Sequence, residues 1–420
     1  MPSRRGIRKW KQVFSARLAH GSQLGHVTQN PLFDVVIVGA GLAGAATAAV
    51  LGRQGRRVAL VDPRPVSPPA FKAEKIEPDQ ADLLRRLDLM EEVRRRAAPI
   101  RVIQVAHRGR VLRSISMEQY GILYPHLVNA VREQIPASVE QRAARVTAVK
   151  PTGDARTVHL DVGDSMTARL VVVACGTGSR LYDTLGVRHR TVRVAHSLCS
   201  GFDIARTDGS PFAFDALTCY PHTTRDRIDY VSLFAIPGRM RVNLFAYLEA
   251  TDRWALALRK EPRLAMERAF PWLQRLLGDY QVTTKIENRV IDLYVADAQP
   301  LDGVVMIGDA VQSVCPATGT GLSKVLTDVV LLCEEYVPTW LRFNDLSASV
   351  IAQFYGDPRK RACDSNSLKA AQYRRRLATD RSPLGWLHRR KTFADIAVRG
   401  LCARLLGYEM PAPIALDGTM

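Results

Sequence analysis

Gly39-Ala40-Gly41-Leu42-Ala43-Gly44 spaces three glycines as G-x-G-x-x-G between an apolar, β-branched run and an alanine-rich one. The chemistry such a turn supports is the grip of a pyrophosphate. Gly39 permits the sharp bend, Gly41 lets backbone N–H groups approach the phosphates at a helix N-terminus, and Gly44 allows the helix to lie close to the strand. Asp62, 23 residues after Gly39, ends the next apolar run. A carboxylate there accepts hydrogen bonds from both ribose hydroxyls and disfavours a 2′-phosphate. FAD or NAD is implied, rather than NADP.

A second glycine-rich segment separates those two. Gly308-Asp309-Ala310-Val311-Gln312-Ser313-Val314-Cys315-Pro316-Ala317-Thr318-Gly319-Thr320-Gly321-Leu322-Ser323 follows a short apolar strand and opens a helix. Such a helix start can set N–H dipoles beside the ring carbonyl of a flavin and stabilise negative charge on its reduced form. The segment resembles the G-D-A-x-H-x-x-x-P-x-x-G-x-G-x-N of the class A FAD-dependent aromatic hydroxylases, the para-hydroxybenzoate hydroxylase-like group, and the two motifs occur in that family's order. The resemblance covers roughly residues 31–335. It implies FAD as cofactor, O2 as oxidant, and Asp309 as acceptor of a ribityl hydroxyl.

Four positions depart from the family pattern. Gln312 stands for the His and Ser323 for the Asn. The middle motif, G-A-D-G-x-x-S-x-x-R in the family, reads Val173-Ala174-Cys175-Gly176-Thr177-Gly178-Ser179-Arg180-Leu181-Tyr182, with Cys175 for the Asp and Tyr182 for the Arg. In the family that motif serves the pyrophosphate and the nicotinamide coenzyme, so the electron donor stays open between NADH or NADPH and a reductase partner. Related flavoenzymes also place a basic residue over the FAD, which falls on Lys72 or Lys75. The Arg of their next flavin-contacting helix is Tyr124. The expected cofactor contacts are Gly39, Ala40, Gly41, Leu42, Ala43, Gly44, Asp62, Lys72, Val146, Gly308, Asp309, Pro316, Gly319, Thr320, Gly321 and Leu322.

Ala73-Glu74-Lys75-Ile76-Glu77-Pro78 also resembles the G-E-x-x-x-P of the tryptophan halogenases. Their halide-handling lysine has no counterpart between Lys75 and Lys150, and only Ile236-Pro237 remains of W-x-W-x-I-P. Hydroxylation is the expected reaction. A flavin-dependent reductase of isoprenoid double bonds is the alternative, with a halogenase or a non-catalytic flavoprotein behind it. The implied chemistry needs no protein nucleophile, since the flavin carries the oxygen transfer while the protein positions substrate and excludes water. No catalytic side chain and no metal ligand is assigned.

The elements that must hold these residues read as follows. Phe33 to Val38 is a buried parallel strand, Leu42 to Arg53 a helix and Arg57 to Val61 a second strand, one βαβ unit. Helices follow at 79–97 and 125–135, then a strand at 168–174. Alternating runs at 218–222, 230–236 and 241–247 form antiparallel strands with one ligand-facing side, offering Tyr220, His222, Phe234 and Asn243 as substrate contacts. Val304 to Ile307 and a helix from Thr320 to Glu335 return to the nucleotide fold. The expected fold is α/β: a Rossmann-like FAD-binding domain at 31–189 and 290–337, an inserted antiparallel substrate domain at 190–289, a basic leader at 1–30, and a basic helical region at 338–420.

At 420 residues and 47% apolar content the chain buries a large core. Its net charge of +18 lies mostly at the ends: six basic and no acidic residues in 1–30, thirteen basic against five acidic in 357–410. With no nucleic-acid motif beside them, these ends suit an anionic membrane surface or an acidic partner. Phe393, Ile396, Ala397, Leu401 and Leu405 recur at helical spacing among arginines, the pattern of a surface-lying amphipathic helix, and a lipophilic small-molecule substrate would follow. Seven scattered cysteines and the lack of a secretory or membrane-spanning segment place the expectation in the cytoplasm, peripheral to the inner face of a membrane.

Overall fold

The structure, a computed structural model, describes residues 32–221, 223–297 and 300–406. The basic leader, His222 and the last fourteen residues lie outside them.

The apolar run at the start is strand β1 (Leu32–Val38), followed by α1 (Leu42–Arg53) and β2 (Val58–Val61). Leu42 to Gly52 are buried without exception, which alanine and glycine permit because small side chains let a helix lie flat on a sheet. An added Cβ on Gly44 would sit 1.8 Å from Gly39 O, so the third glycine is required by contact. β3 (Lys75–Ile76), α2 (Pro78–Arg86), α3 (Met90–Arg95), β4 (Ala98–His107), β5 (Arg110–Gly121) and α4 (Tyr124–Arg132) come next. The single helix expected at 79–97 is thus two, broken where Asp88 takes φ 54.

After β6 (Glu140–Arg142), β7 (Val146–Thr152), β8 (Ala155–Leu160) and β9 (Ser165–Val173), a short α5 (Leu181–Thr184) leads to β10 (Arg188–Arg206). Then come β11 (Ala216–Tyr220), β12 (Ile228–Ile236), β13 (Arg239–Ala246), three helices α6 (Arg253–Lys260), α7 (Pro262–Ala269) and α8 (Leu273–Leu277), and strands β14 (Tyr280–Val282), β15 (Glu287–Asp297) and β16 (Val304–Met306). The described residues end in helices: α9 (Gly321–Leu331), a π turn at Leu332–Tyr336 just before Pro338, α10 (Val337–Phe343), α11 (Ala348–Gly356), α12 (Pro358–Thr379) and α13 (Pro383–Leu406).

Among the described residues the strands make two sheets. The first runs β6-β2-β1-β9-β8-β7 with β16 beside β9; its β6, β2, β1, β9 and β16 are parallel, the doubly wound arrangement. The second runs β14-β10-β13-β12-β11-β4-β5-β3, with β15 beside β10. It draws on residues 75–76 and 98–121 as well as on the region after 188, so its strands reach beyond the 190–289 segment. One face, built from Phe202, Leu217, Val231, Leu233, Val242 and Leu244, is covered by α6, α7 and α8. By strand alternation the other face carries Cys199, Tyr230, Ser232, Asn243 and Phe245, and part of it packs on Cys315 and Ala317 of the glycine-rich loop.

Candidate active site

The phosphate turn is braced on three sides. Ala40 N–H donates to Asp62 Oδ2 at 2.8 Å and Arg64 N–H to Asp62 Oδ1 at 2.8 Å, so the carboxylate at the end of β2 fixes the turn and keeps lone pairs for a ribose. Arg132 Nε donates to Ala40 O at 2.7 Å, and another of its nitrogens reaches Arg64 O. Arg132 was not among the residues expected from sequence. It lies eight residues from Tyr124 on one face of α4, and Tyr124 Oη is 3.9 Å from where a Cβ on Gly41 would be.

Lys72 joins the two motifs. Its Nζ is 3.3 Å from Asp309 Oδ2 and 5.3 Å from the centre of the Tyr124 ring. The expected cation therefore stands beside Asp309, the expected ribityl acceptor, whereas Lys75 is engaged with Glu77 at 3.0 Å. Val146 is buried, its side chain packed with Val38, Val61 and Ala144.

Behind Asp309 lies a buried network absent from the sequence reading. Lys324 Nζ donates to Gly308 O at 2.9 Å, and Gly308 N–H donates to Asp328 Oδ2 at 2.8 Å. Lys360 of α12 reaches Asp328 at 2.7 Å and Asp364 at 3.2 Å. Burial draws the Lys360 ammonium down, but Asp328 and Asp364 outweigh it and hold the group above its ordinary range. Two lysines and two aspartates thus close a neutral set around one glycine. Lys324–Asp328 and Lys360–Asp364 are both i,i+4 pairs inside helices, the sequence signal for this network.

The departures from the family pattern have partners of their own. Gln312 donates to Asp364 O at 2.9 Å, and Gln80 of α2 donates to Gly319 O at 2.8 Å and to Ser323 Oγ at 3.0 Å. In the middle motif Tyr182 donates to Gly176 O while Cys175 Sγ lies 3.4 Å from the phenol oxygen, an uncharged pair that closes on itself. Arg180 is exposed. Burial, and then Cys175, push the Tyr182 phenol well above its usual range. His189 sits edge-on between Tyr182 and Tyr294, whose hydroxyl donates to Asp309 O at 2.9 Å.

A strap at residues 71–76 crosses to the second sheet. Glu74 and Arg241 form a bidentate buried pair at 2.8 and 3.0 Å, and Arg241 also meets Asp203 at 3.1 Å. Burial pushes the Glu74 carboxyl up, to about 7, against the pull of Arg241. Register pairs then lay two rows across the sheet. Thr218, Ser232, Asn243 and Gly201 make a polar row. Tyr230, Phe245 and Cys199 make an aromatic and thiol row beside it. Tyr230 donates to Ala317 O at 3.0 Å, which fixes that second row against the loop. Cys315, one residue before Pro316, is fully buried and its thiol is pushed up to about 11 by burial, so it is a packed group rather than a nucleophile.

Of the expected substrate contacts, Asn243 lies in the polar row with its Oδ1 buried and unpaired. Phe234 is on the same side, packed against Ile100, Ile103 and Ile236. Tyr220 packs on Tyr230 and Phe393, centroids 5.7 and 5.3 Å apart. Tyr230, Ser232 and Phe245 share that face and were not singled out, although the alternation through 230–236 and 241–247 marked it. Gly319, Gly321 and Gly41 have open space where a side chain would begin, apart from Tyr124 Oη at the margin of Gly41, so backbone can meet a ligand at both ends of a dinucleotide. The residues present fit FAD.

Comparison with known proteins agrees. Residues 33–336 match the family model described as FAD binding domain, and residues 281–406 match that of squalene epoxidase. Kynurenine 3-monooxygenase of Salinispora arenicola (strain CNS-205) is 27% identical over 71% of both chains. Ubiquinone hydroxylase UbiL of Rhodospirillum rubrum is 25% identical over 72% of both. Among solved structures, p-nitrophenol 4-monooxygenase PnpA from Pseudomonas putida DLL-E4 superposes with a TM-score of 0.73 at 20% identity, covering 90% of this chain and 96% of that one.

Proposed function

The chain belongs to the FAD binding domain family and is an FAD-dependent oxidoreductase of the class A monooxygenase group; from that premise we propose that it hydroxylates an aromatic or lipophilic small molecule held on the inner face of the second sheet. FAD, when bound, supplies the reduction of O2 and the transfer of one oxygen atom. Gly39, Gly41 and the start of α1 hold its pyrophosphate, Asp62 its ribose, and Asp309 with Lys72 its ribityl chain. The observation that carries the reading is the Tyr230 to Ala317 hydrogen bond, because it brings the aromatic row, with the polar row next to it, to the loop that would serve the flavin.

Within the polar row beside it Asn243 orients the substrate, its buried Oδ1 accepting from a substrate O–H or N–H. Two relatives named for kynurenine and p-nitrophenol and one named for ubiquinone agree with an aromatic ring as target. Electrons come from NADH or NADPH or from a reductase partner. The Cys175–Tyr182 pair, standing where the family motif has an Asp and an Arg, favours the reductase.

The test is anaerobic reduction of the purified holoenzyme followed by O2. Reduced flavin that consumes O2 faster in the presence of a phenol or quinol and yields a hydroxylated product bears the proposal out. Reduced flavin that ignores O2 while saturating a carbon–carbon double bond overturns it in favour of a reductase. Asn243→Leu is expected to lower kcat/KM by about tenfold to a hundredfold, mainly through KM, as loss of one buried polar contact would.

A further inference from the structure

The last helix has two unlike faces. On its inner side Phe393 stacks on His107 with centroids 4.0 Å apart, Ile396 is buried, and Gly400 lies so near Leu112 O that an added Cβ would come within 1.9 Å of it. The apolar residues expected to form one face are therefore divided, for Leu401 and Leu405 point away from the body. They continue an outer ridge with Leu384, Leu387 and Val398, all 55% to 77% exposed. Exposed Lys391 and Ala394 fill the remaining positions, so the ridge steps by three and four residues over the whole helix, roughly 30 Å. Trp386, also exposed, lies under the Arg390 guanidinium at 4.6 Å.

A ridge of this size on a soluble protein marks a surface that is covered in use. The charge on the helix selects the cover. The helix sequence carries five basic residues and one acid; Arg390 and Lys391 are exposed, while Arg389 donates inward to Leu377 O and Pro221 O and Arg399 engages the acid, Asp395, at 3.0 Å. Pairing with a second copy would set like charge against like, with Lys391 in the seam. Anionic headgroups complement it, and basic side chains can extend past the apolar ridge to reach them. Among the described residues no helix is long and apolar enough to cross a membrane, so α13 lies along the surface.

We propose that the outer ridge of α13 docks on an anionic phospholipid bilayer. The inner side of the same helix touches Tyr220, so docking sets the edge of the substrate-facing sheet about one helix diameter, roughly 10 Å, from lipid.

The experiment is flotation of the full-length holoenzyme with vesicles of phosphatidylcholine alone or with added phosphatidylglycerol. Flotation with the anionic vesicles only, reduced at least about tenfold in Leu387→Gln/Val398→Gln/Leu401→Gln, is expected. Arg390→Glu/Lys391→Glu gives a comparable loss at about fivefold per basic residue. All three ridge positions are exposed, so flavin content and melting temperature stay unchanged and report that the variant is folded. No flotation of the parent overturns the proposal, as does equal flotation of parent and triple variant, which would place binding elsewhere, such as on the first thirty residues. Light scattering that shows the triple variant turning a dimer into a monomer overturns it too, since the ridge would then join two copies.

Discussion

Lys72 is flanked by the Asp309 carboxylate and the Tyr124 ring. A half-exposed ion pair such as Lys72–Asp309 contributes little to stability, about 1 kcal/mol or less. Under the proposed function the lysine's charge serves the binding of FAD. Lys72→Met is expected to raise the Kd for FAD about tenfold while leaving the melting temperature of the apoprotein within a few degrees, measured by flavin fluorescence titration. At this scale the sequence is informative where a ligand demands one residue type: the three glycines and Asp62 could be named from spacing, and Asp309 from the family resemblance. Arg132 and Tyr294 were not, because each acts on a backbone carbonyl, and any donor with the right reach would serve.

Among elements, α9 shows how a charge can belong to the interior. Its sequence GLSKVLTDVVL reads as an apolar helix with two solvated residues, yet Lys324 and Asp328 are each only 1% exposed and cradle Gly308. Removing one member of a buried charged set leaves its partner uncompensated. Lys324→Met is therefore expected to cost about 3–5 kcal/mol and to empty the flavin site, seen as a lower melting temperature and loss of bound FAD on purification. The strands at 98–107 and 110–121 escaped the sequence reading for a related reason. Their arginines and half-buried alternation resemble a surface hairpin, and β4 finds its other partner, β11, more than a hundred residues later. Pairing at that distance leaves no local mark. The βαβ unit, by contrast, is complete within thirty residues and was legible in full.

Across the molecule, the helical end of the chain is tied into the site. Arg374 of α12 makes a buried bidentate pair with Asp229 at 2.7 and 3.0 Å and lies 4.6 Å from the Tyr230 ring, the tyrosine that holds Ala317. Arg374→Met is expected to destabilise the fold by about 3–5 kcal/mol and to weaken flavin binding, and adding Asp229→Leu should restore most of the stability because no charge is then left buried alone; paired thermal melts decide it. Composition marked this region as basic but could not say which arginines face inward, since burial depends on which strand the helix crosses.

That tie also orders events in time. During synthesis the phosphate turn and its strands leave the ribosome first, and domains fold as they emerge. The glycine-rich loop follows, but Lys360, Asp364 and Arg374, which fix its back, are translated later. A growing chain thus acquires the seat for the adenosine end of FAD early and the seat for the ring last. Flavin uptake is therefore expected to follow synthesis of α12, and a chain truncated before Lys360 is expected to retain less bound FAD on purification than the full chain.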